Sequence, residues 1–445
     1  MGAMTGLAFV YLALPVAMAV YLLCLPRRRP EALLVLSVAF CFIAYPPLAL
    51  YMIAVVATDM ASLAIMNRYD ENPLIRKICL AFSAAKNLGC ILLFGGVLHV
   101  GLPAPEMLFG LYVVTLSAMG CVLQVYRRQV SHTGGPVRFA LYCLYFPRLA
   151  AGPLASYREL APELQAPDTS PTEIAKGLGM FIQGAVKFRI LGQTLYAFYD
   201  TLRFIPQRDA SVLGVWVTVF VLILSVYYRF SGCVDMARGI GRMMGIALPE
   251  NFRYPHRSVS ITDFFRRFNC SLTHYVRGVL GPDFTDKAGF AATSLGFLIT
   301  GAAAGLWFGL SAGRLAWGIF LGLFLIMERY LYPGLFKRVP AALCRVYALL
   351  VIFLSFALFD APGLSAGAQT AGQMLGVGGL PFYSERLVYL LQSNRMLLIF
   401  GSFLAIGVHV RLFSFFRRHT PALLYGALMV VINLFLLMLL TAFSI

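Results

Sequence analysis

Apolar segments of membrane-crossing length recur along the whole chain, and they constrain its fold more than any other feature. They lie at roughly 6–25, 32–66, 78–99, 107–126, 136–152, 210–230, 290–312, 314–335, 340–361, 387–411 and 421–443. A helix of about 20 apolar residues spans the hydrocarbon core of a bilayer. The stretch 32–66 is long enough for two helices and is interrupted by Tyr45-Pro46-Pro47, where proline cannot continue a helix and restrains the residue before it. The pattern predicts an all-α polytopic membrane protein with about ten to twelve transmembrane helices, since lipid leaves backbone groups no partners except their own helix. Composition agrees: 60% of residues are hydrophobic and 12% are charged, against roughly 25% charged in a soluble domain. Soluble enzymes, disulfide-stapled secreted scaffolds and disordered regulators are thereby excluded.

The 36 Lys and Arg residues against 19 acidic ones give a formal charge of +17. No basic stretch is free of flanking apolar helix, so the expected partner of this charge is the lipid bilayer and not nucleic acid. Arg27, Arg28 and Arg29 follow the first apolar run, which places them in the cytoplasm and the N-terminus outside; Arg411, Arg417 and Arg418 before the last run place the C-terminus outside as well. A signal peptide would carry its charges first, so Gly6 to Leu25 reads as a retained first helix of a multi-pass cell-membrane protein. Nine cysteines occur without a CxxC pair and read as small core residues, with no metal site. No Walker loop or dinucleotide fingerprint is present. Residues 1–445 read as a single integral-membrane domain without repeats.

The segment from Tyr227 to Phe284 departs from the rest. It holds Arg229, Arg238, Arg242, Arg253, Arg257, Arg266, Arg267 and Arg277 with Asp235, Glu250, Asp263 and Asp283. Such groups at membrane depth must face protein, water or a headgroup. A solvated loop with amphipathic helices is the plain alternative, but Gly232, Gly239, Gly241 and Gly245 alternate with Met236, Met243 and Met244, which fits close helix packing. The segment is expected to form re-entrant or tilted helices, with Asp235 neutralising Arg238 and Arg242 on one helix face and Asp263 neutralising Arg266 and Arg267. Lys86, Asp59 and Glu328 also interrupt apolar runs; an ion pair of Glu328 with Arg329 at a helix end is the simpler reading of the last.

Three strings carry a resemblance. They are Phe146-Pro147-Arg148-Leu149-Ala150-Ala151-Gly152-Pro153 followed by Tyr157-Arg158-Glu159; Ser231-Gly232-Cys233-Val234-Asp235-Met236-Ala237 with Arg242-Met243, then Pro249-Glu250-Asn251-Phe252 and Tyr254-Pro255; and Ser260-Ile261-Thr262-Asp263-Phe264-Phe265-Arg266-Arg267-Phe268. With Leu306-Trp307 and Gly309, they resemble the membrane-bound O-acyltransferases over about residues 120–330, in the bacterial branch that serves alginate O-acetylation and teichoic acid D-alanylation. The resemblance implies tilted and re-entrant helices around a central funnel, with a funnel or substrate-binding set of Asp235, Arg238, Arg242, Asp263, Arg266, Arg267 and Trp307. It implies no bound cofactor, a thioester donor (acyl carrier protein or CoA) arriving from the cytoplasm, and an acceptor hydroxyl approaching from the other face. An acyl carrier protein or an extracytoplasmic acyltransferase is the implied partner.

The family's two histidine positions are occupied here by Asn269 and Phe308. Phenylalanine has no lone pair and cannot accept a proton, whereas imidazole is the natural base for such a transfer. Among the other histidines, His274 is a candidate relocated base, but five residues beyond Asn269 on one helix it is turned about 140° from that face; His256, after the Tyr254-Pro255 turn, reads as a headgroup contact. A Cys270 or Ser271 nucleophile would need an activating partner that the sequence does not show. Three functions remain open: an O-acyltransferase component of cell-surface polymer acylation with a degenerate centre, a non-catalytic binding or assembly subunit, and an anion channel or transporter.

Overall fold

Asn72 and Pro73 show how local chemistry sets the helices. The Asn72 carboxamide oxygen accepts from the backbone N–H groups of Leu74 and Ile75 at 3.0 and 3.2 Å, satisfying donors that the helix itself leaves free, while Pro73 occupies the first helical position, where no donor is needed. The computed structural model describes residues 4, 6–97, 108–130, 134–150, 152–165, 167, 169–281, 284, 289–332, 334 and 338–443. His99, His132, Ala151 and Asp283 lie outside the described residues.

In chain order the helices are α1 (Leu14–Leu23), α2 (Arg29–Ala44), α3 (Ala49–Arg68), α4 (Pro73–Leu92), α5 (Leu108–Tyr126), α6 (Pro136–Leu144), α7 (Phe146–Leu149), α8 (Tyr157–Gln165), α9 (Pro171–Val186), α10 (Gln193–Arg203), α11 (Val212–Met243), α12 (Ile261–Phe265), α13 (Cys270–Leu280), α14 (Phe290–Leu306), α15 (Ala312–Tyr330), α16 (Ala341–Phe359), α17 (Leu364–Met374), α18 (Glu385–Ser393), α19 (Arg395–Ala405), α20 (Val408–His419) and α21 (Ala422–Ala442). Among the described residues there is no strand, only an isolated bridge between Phe252 and Phe268. The protein is an all-α polytopic membrane protein. Among the described residues six helices are long and apolar enough to cross a bilayer: α3, α4 with its extension to Gly96, α5, α11, α16 and α21; α18 and α19, bent by 66°, make a seventh if counted together. Other apolar stretches fold as shorter helices, which is where this count and the expected ten to twelve diverge. The stretch 136–152 is the clearest case: α6 stops at Leu144 and α7 is a single turn, because Pro147 denies the helix a donor.

The chain divides into two compact units, one of residues up to Ala185 with Cys233–Glu250, the other of Val186–Gly232 with Asn251–Phe443. In the first, α5 is buried on nearly all faces. Asp59 of α3, fully buried, pairs with Lys86 of α4 at 2.9 Å and accepts from Asn87 at 2.8 Å. Arg148, also fully buried, donates to the carbonyls of Pro153 and Tyr142 and to Ser117 Oγ, so a charge at this depth is satisfied by oxygens. Gly177 of α9 lies against Gly239 of α11, where a Cβ on Gly177 would come within 2.6 Å of the Gly239 carbonyl oxygen. In the second unit, α14 and α15 pack so closely that a Cβ on Gly301 would meet the Gly318 carbonyl oxygen at 2.2 Å; small residues permit this approach of backbones in lipid.

Candidate functional site

The second unit assembles its site from the turn between Asn251 and α13. Asn251 holds that turn at three points: its side-chain amide donates to Asn269 Oδ1 at 3.0 Å, its own Oδ1 accepts from Ser271 N–H at 2.8 Å, and its carbonyl accepts from Cys270 N–H at 3.0 Å. Asn269 caps α13 with φ 50° and ψ 50°, a left-handed conformation that asparagine tolerates better than most residues. Both asparagines are buried. This position is therefore a structural clamp in this chain.

The preceding helix, α12, is fixed from two sides. Ser260 Oγ caps it by accepting from Asp263 N–H at 3.0 Å. Glu328 of α15 accepts from the Ile261 and Thr262 N–H groups at 2.6 and 2.8 Å and from Thr262 Oγ1 at 2.7 Å. Glu328 thus caps the amino end of a neighbouring helix, where negative charge is favoured, which corrects the expected pairing with Arg329. Both Asp263 carboxylate oxygens accept from the single Arg267 Nε–H, each at 2.9 Å, and Asp263 also accepts from Val259 N–H at 3.2 Å. Arg266 is exposed, as is His274 on α13.

Phe308, in the turn after α14, is buried beside Trp307. Its ring meets Phe230 at 4.5 Å, Phe359 at 5.2 Å, Phe268 at 6.0 Å and Trp317 at 6.1 Å between centroids. The edge-to-face contacts with Phe230, Phe359 and Trp317 add attraction beyond the area they bury. The rings in contact with residue 308 make its surroundings apolar and aromatic.

Asp235, Arg238 and Arg242 belong to the first unit. Arg238 approaches Asp235 at 3.7 Å, while Arg242 pairs with Glu173 of α9, which also holds Lys176 at 2.7 Å. The expected neutralisation of Arg242 by Asp235 is therefore supplied from a different helix. Hydrogen bonds from Arg242 and Lys176 pull the Glu173 carboxyl down to about 2, since they favour its charged form. Arg238, Arg242, Glu163 and Glu173 line a cavity of 330 Å³, and Glu163 accepts from Ala247 N–H at 3.1 Å.

A second cavity, of 470 Å³, lies within the second unit between α10, α11, α16 and α17. Asp360 is its polar centre, accepting from Tyr199 Oη at 2.8 Å and Arg203 at 3.2 Å, with Arg314 at 4.0 Å. Sequence reasoning missed this group, along with Glu173; the available signal was an acid closing the apolar run 340–361. Among the described residues no cluster of His, Cys, Asp and Glu could hold a metal ion.

Residues 109–367 match the profile of the membrane-bound O-acyltransferase family. Similar proteins include a probable alginate O-acetylase of Pseudomonas aeruginosa, 29% identical over 281 residues, 63% of this chain and 53% of the relative. A peptidoglycan O-acetyltransferase of Helicobacter pylori is 28% identical over 254 residues, 54% of this chain and 47% of the relative. A teichoic acid D-alanyltransferase of Bacillus subtilis is 25% identical over 198 residues, 41% of this chain and 49% of the relative. The chain spans about half the length of the curated relatives it matches.

Proposed function

The chain belongs to the membrane-bound O-acyltransferase family, and from that premise we propose that it acts in the O-acylation of a cell-surface polymer. A short acyl group leaves a thioester donor on the cytoplasmic side and is carried toward an acceptor hydroxyl on the extracytoplasmic side, with both chain termini outside. The observation that carries this reading is the intact mounting of the family segment in the second unit: the Asn251 clamp on Asn269 and the Glu328 cap on α12. Relatives named for O-acetylation and D-alanylation support the reaction class. In this reading Arg238 and Arg242, at the 330 Å³ cavity, face an anionic donor such as an acyl carrier protein or CoA.

The family's base positions are degenerate: Phe308 offers no lone pair and Asn269 is committed to Asn251. A second reading is favoured by the aromatic packing around Phe308, that of a non-catalytic subunit docking an acyl carrier or transferase partner. An anion channel draws less support, because Arg242 and Arg267 are held by carboxylates.

The test is the alkali-labile ester content of the envelope polymers in cells with and without the gene. Loss of one acyl species on deletion and its return with the wild-type gene is the expected result; unchanged esters would contradict the proposal. Gene-dependent esters that also require a separate, histidine-bearing transferase would move the assignment to the second reading.

A further inference from the structure

His256 and Phe308 pack against two rings three residues apart on α11, Tyr227 and Phe230. Tyr254, in the left-handed region with φ 52°, turns the chain sharply into the short helix Pro255–Arg257; strain of this kind in a residue other than glycine tends to gather where geometry serves function. The turn sets the His256 ring edge-on to Tyr227, 4.8 Å between centroids. Tyr227 lies three residues before Phe230 on α11, about 4.5 Å along the axis and on the same face, and the Phe230 ring meets Phe308 at 4.5 Å. A second path joins them: Tyr227 to Phe252 at 6.1 Å, Phe252 to Phe268 at 5.2 Å, and Phe268 to Phe308 at 6.0 Å.

Within this wall the His256 Nε2 is shielded from solvent and has no hydrogen-bond partner among the described residues. A buried polar atom without a partner calls for a physical reason, and a catalytic role is among the recognised ones. His274, by contrast, is exposed.

We infer that His256, linked to Phe308 through the rings of Tyr227 and Phe230, is the proton acceptor of this centre. The inference rests on the acyl-transfer reading above. With its ring proton on Nδ1, His256 presents the Nε2 lone pair to the acceptor hydroxyl. The hydroxyl proton passes to Nε2 as the oxygen forms a bond to the thioester carbonyl carbon; the tetrahedral oxyanion then collapses, the C–S bond breaks with its electron pair on sulfur, and the imidazolium returns the proton to the thiolate. An ester and a free thiol result, with His256 neutral again. Burial holds the imidazole down to about 4, so the ring stays unprotonated at working pH, and the negative charge that builds on the oxyanion strengthens it as a base during the step.

The experiment measures the rate at which alkali-labile polymer esters appear after induced expression of the full chain in the deletion strain, at matched membrane abundance. With wild type restoring esters, His256→Gln and His256→Gly should lose 10²–10⁴-fold, the usual contribution of a general base, while His274→Ala keeps the wild-type rate. Added imidazole should partly restore His256→Gly, which a purely structural histidine would not allow. A wild-type rate in His256→Gln, or loss in both His256 variants without imidazole rescue, overturns the inference while leaving the acyl-transfer reading in place. Failure of the wild-type gene to change esters at all overturns that reading and this inference together.

Discussion

The rings of Phe308 and Phe230 meet edge to face, 4.5 Å apart at an interplanar angle of 79°. The contact is one of packing. Phe308→Ala should therefore cost about 3–5 kcal/mol of stability, as large aromatic truncations in packed cores do, read as a fall in the unfolding temperature in detergent or nanodiscs. Phe308→Leu should cost less. An unchanged melting temperature for Phe308→Ala would show that the ring is not part of a packed core.

Glu328 provides a second test. Its carboxylate serves two backbone donors and the Thr262 hydroxyl, and it is 7% exposed. Glu328→Gln keeps the shape but loses the charge, which should remove about 1.5–3 kcal/mol, the range for hydrogen bonds to charged groups. Comparison with Arg329→Gln separates the cap from an ion pair: equal losses in the two variants would restore the ion-pair reading.

The Asp59 and Lys86 pair is set inside two candidate spans, with Asp59 fully buried. Lys86→Met leaves the acid charged and unpaired, which typically costs 3–5 kcal/mol. The double variant Asp59→Leu with Lys86→Met should recover most of that loss, since replacing both members of a buried pair by apolar groups is often neutral. Membrane abundance and thermal unfolding of the two variants check this; no recovery in the double variant would contradict it.

Glu173 gives a pH dependence of defined sign. Its folded-state pKa, about 2, lies below the ordinary value of 4.5. The folded form binds its proton less readily, so its contribution is fully present above about pH 4.5 and fades as pH falls toward 2. Wild type should lose stability relative to Glu173→Gln across that window and keep a constant difference above it. A difference that grows as pH rises above 5 would refute the assignment of the Arg242 and Lys176 contacts.

Much of this architecture could be read in the sequence, for physical reasons that particular residues make plain. Tyr45-Pro46-Pro47 separates α2 from α3 because proline cannot sit in a helix interior, and hydropathy alone marked α16 and α21. The arginine-rich segment was recognisable because charge beside apolar helices must have partners. Which partners was not legible: Glu173 is 69 residues from Arg242, and Glu328 is 67 from Ile261, distances that no local periodicity encodes. His256 was read as a headgroup contact since its position follows a turn; only the left-handed Tyr254 and the ring of Tyr227 place it within an aromatic wall.

The central claim, that acyl transfer in this chain does not pass through residue 308, is tested most directly by Phe308→Leu. Its rate of polymer ester formation in the deletion strain, per unit of protein in the membrane, should lie within about twofold of wild type, because a side chain without a lone pair contributes no proton transfer. A loss of a hundredfold or more at equal abundance would contradict the account and place residue 308 at the reacting atoms.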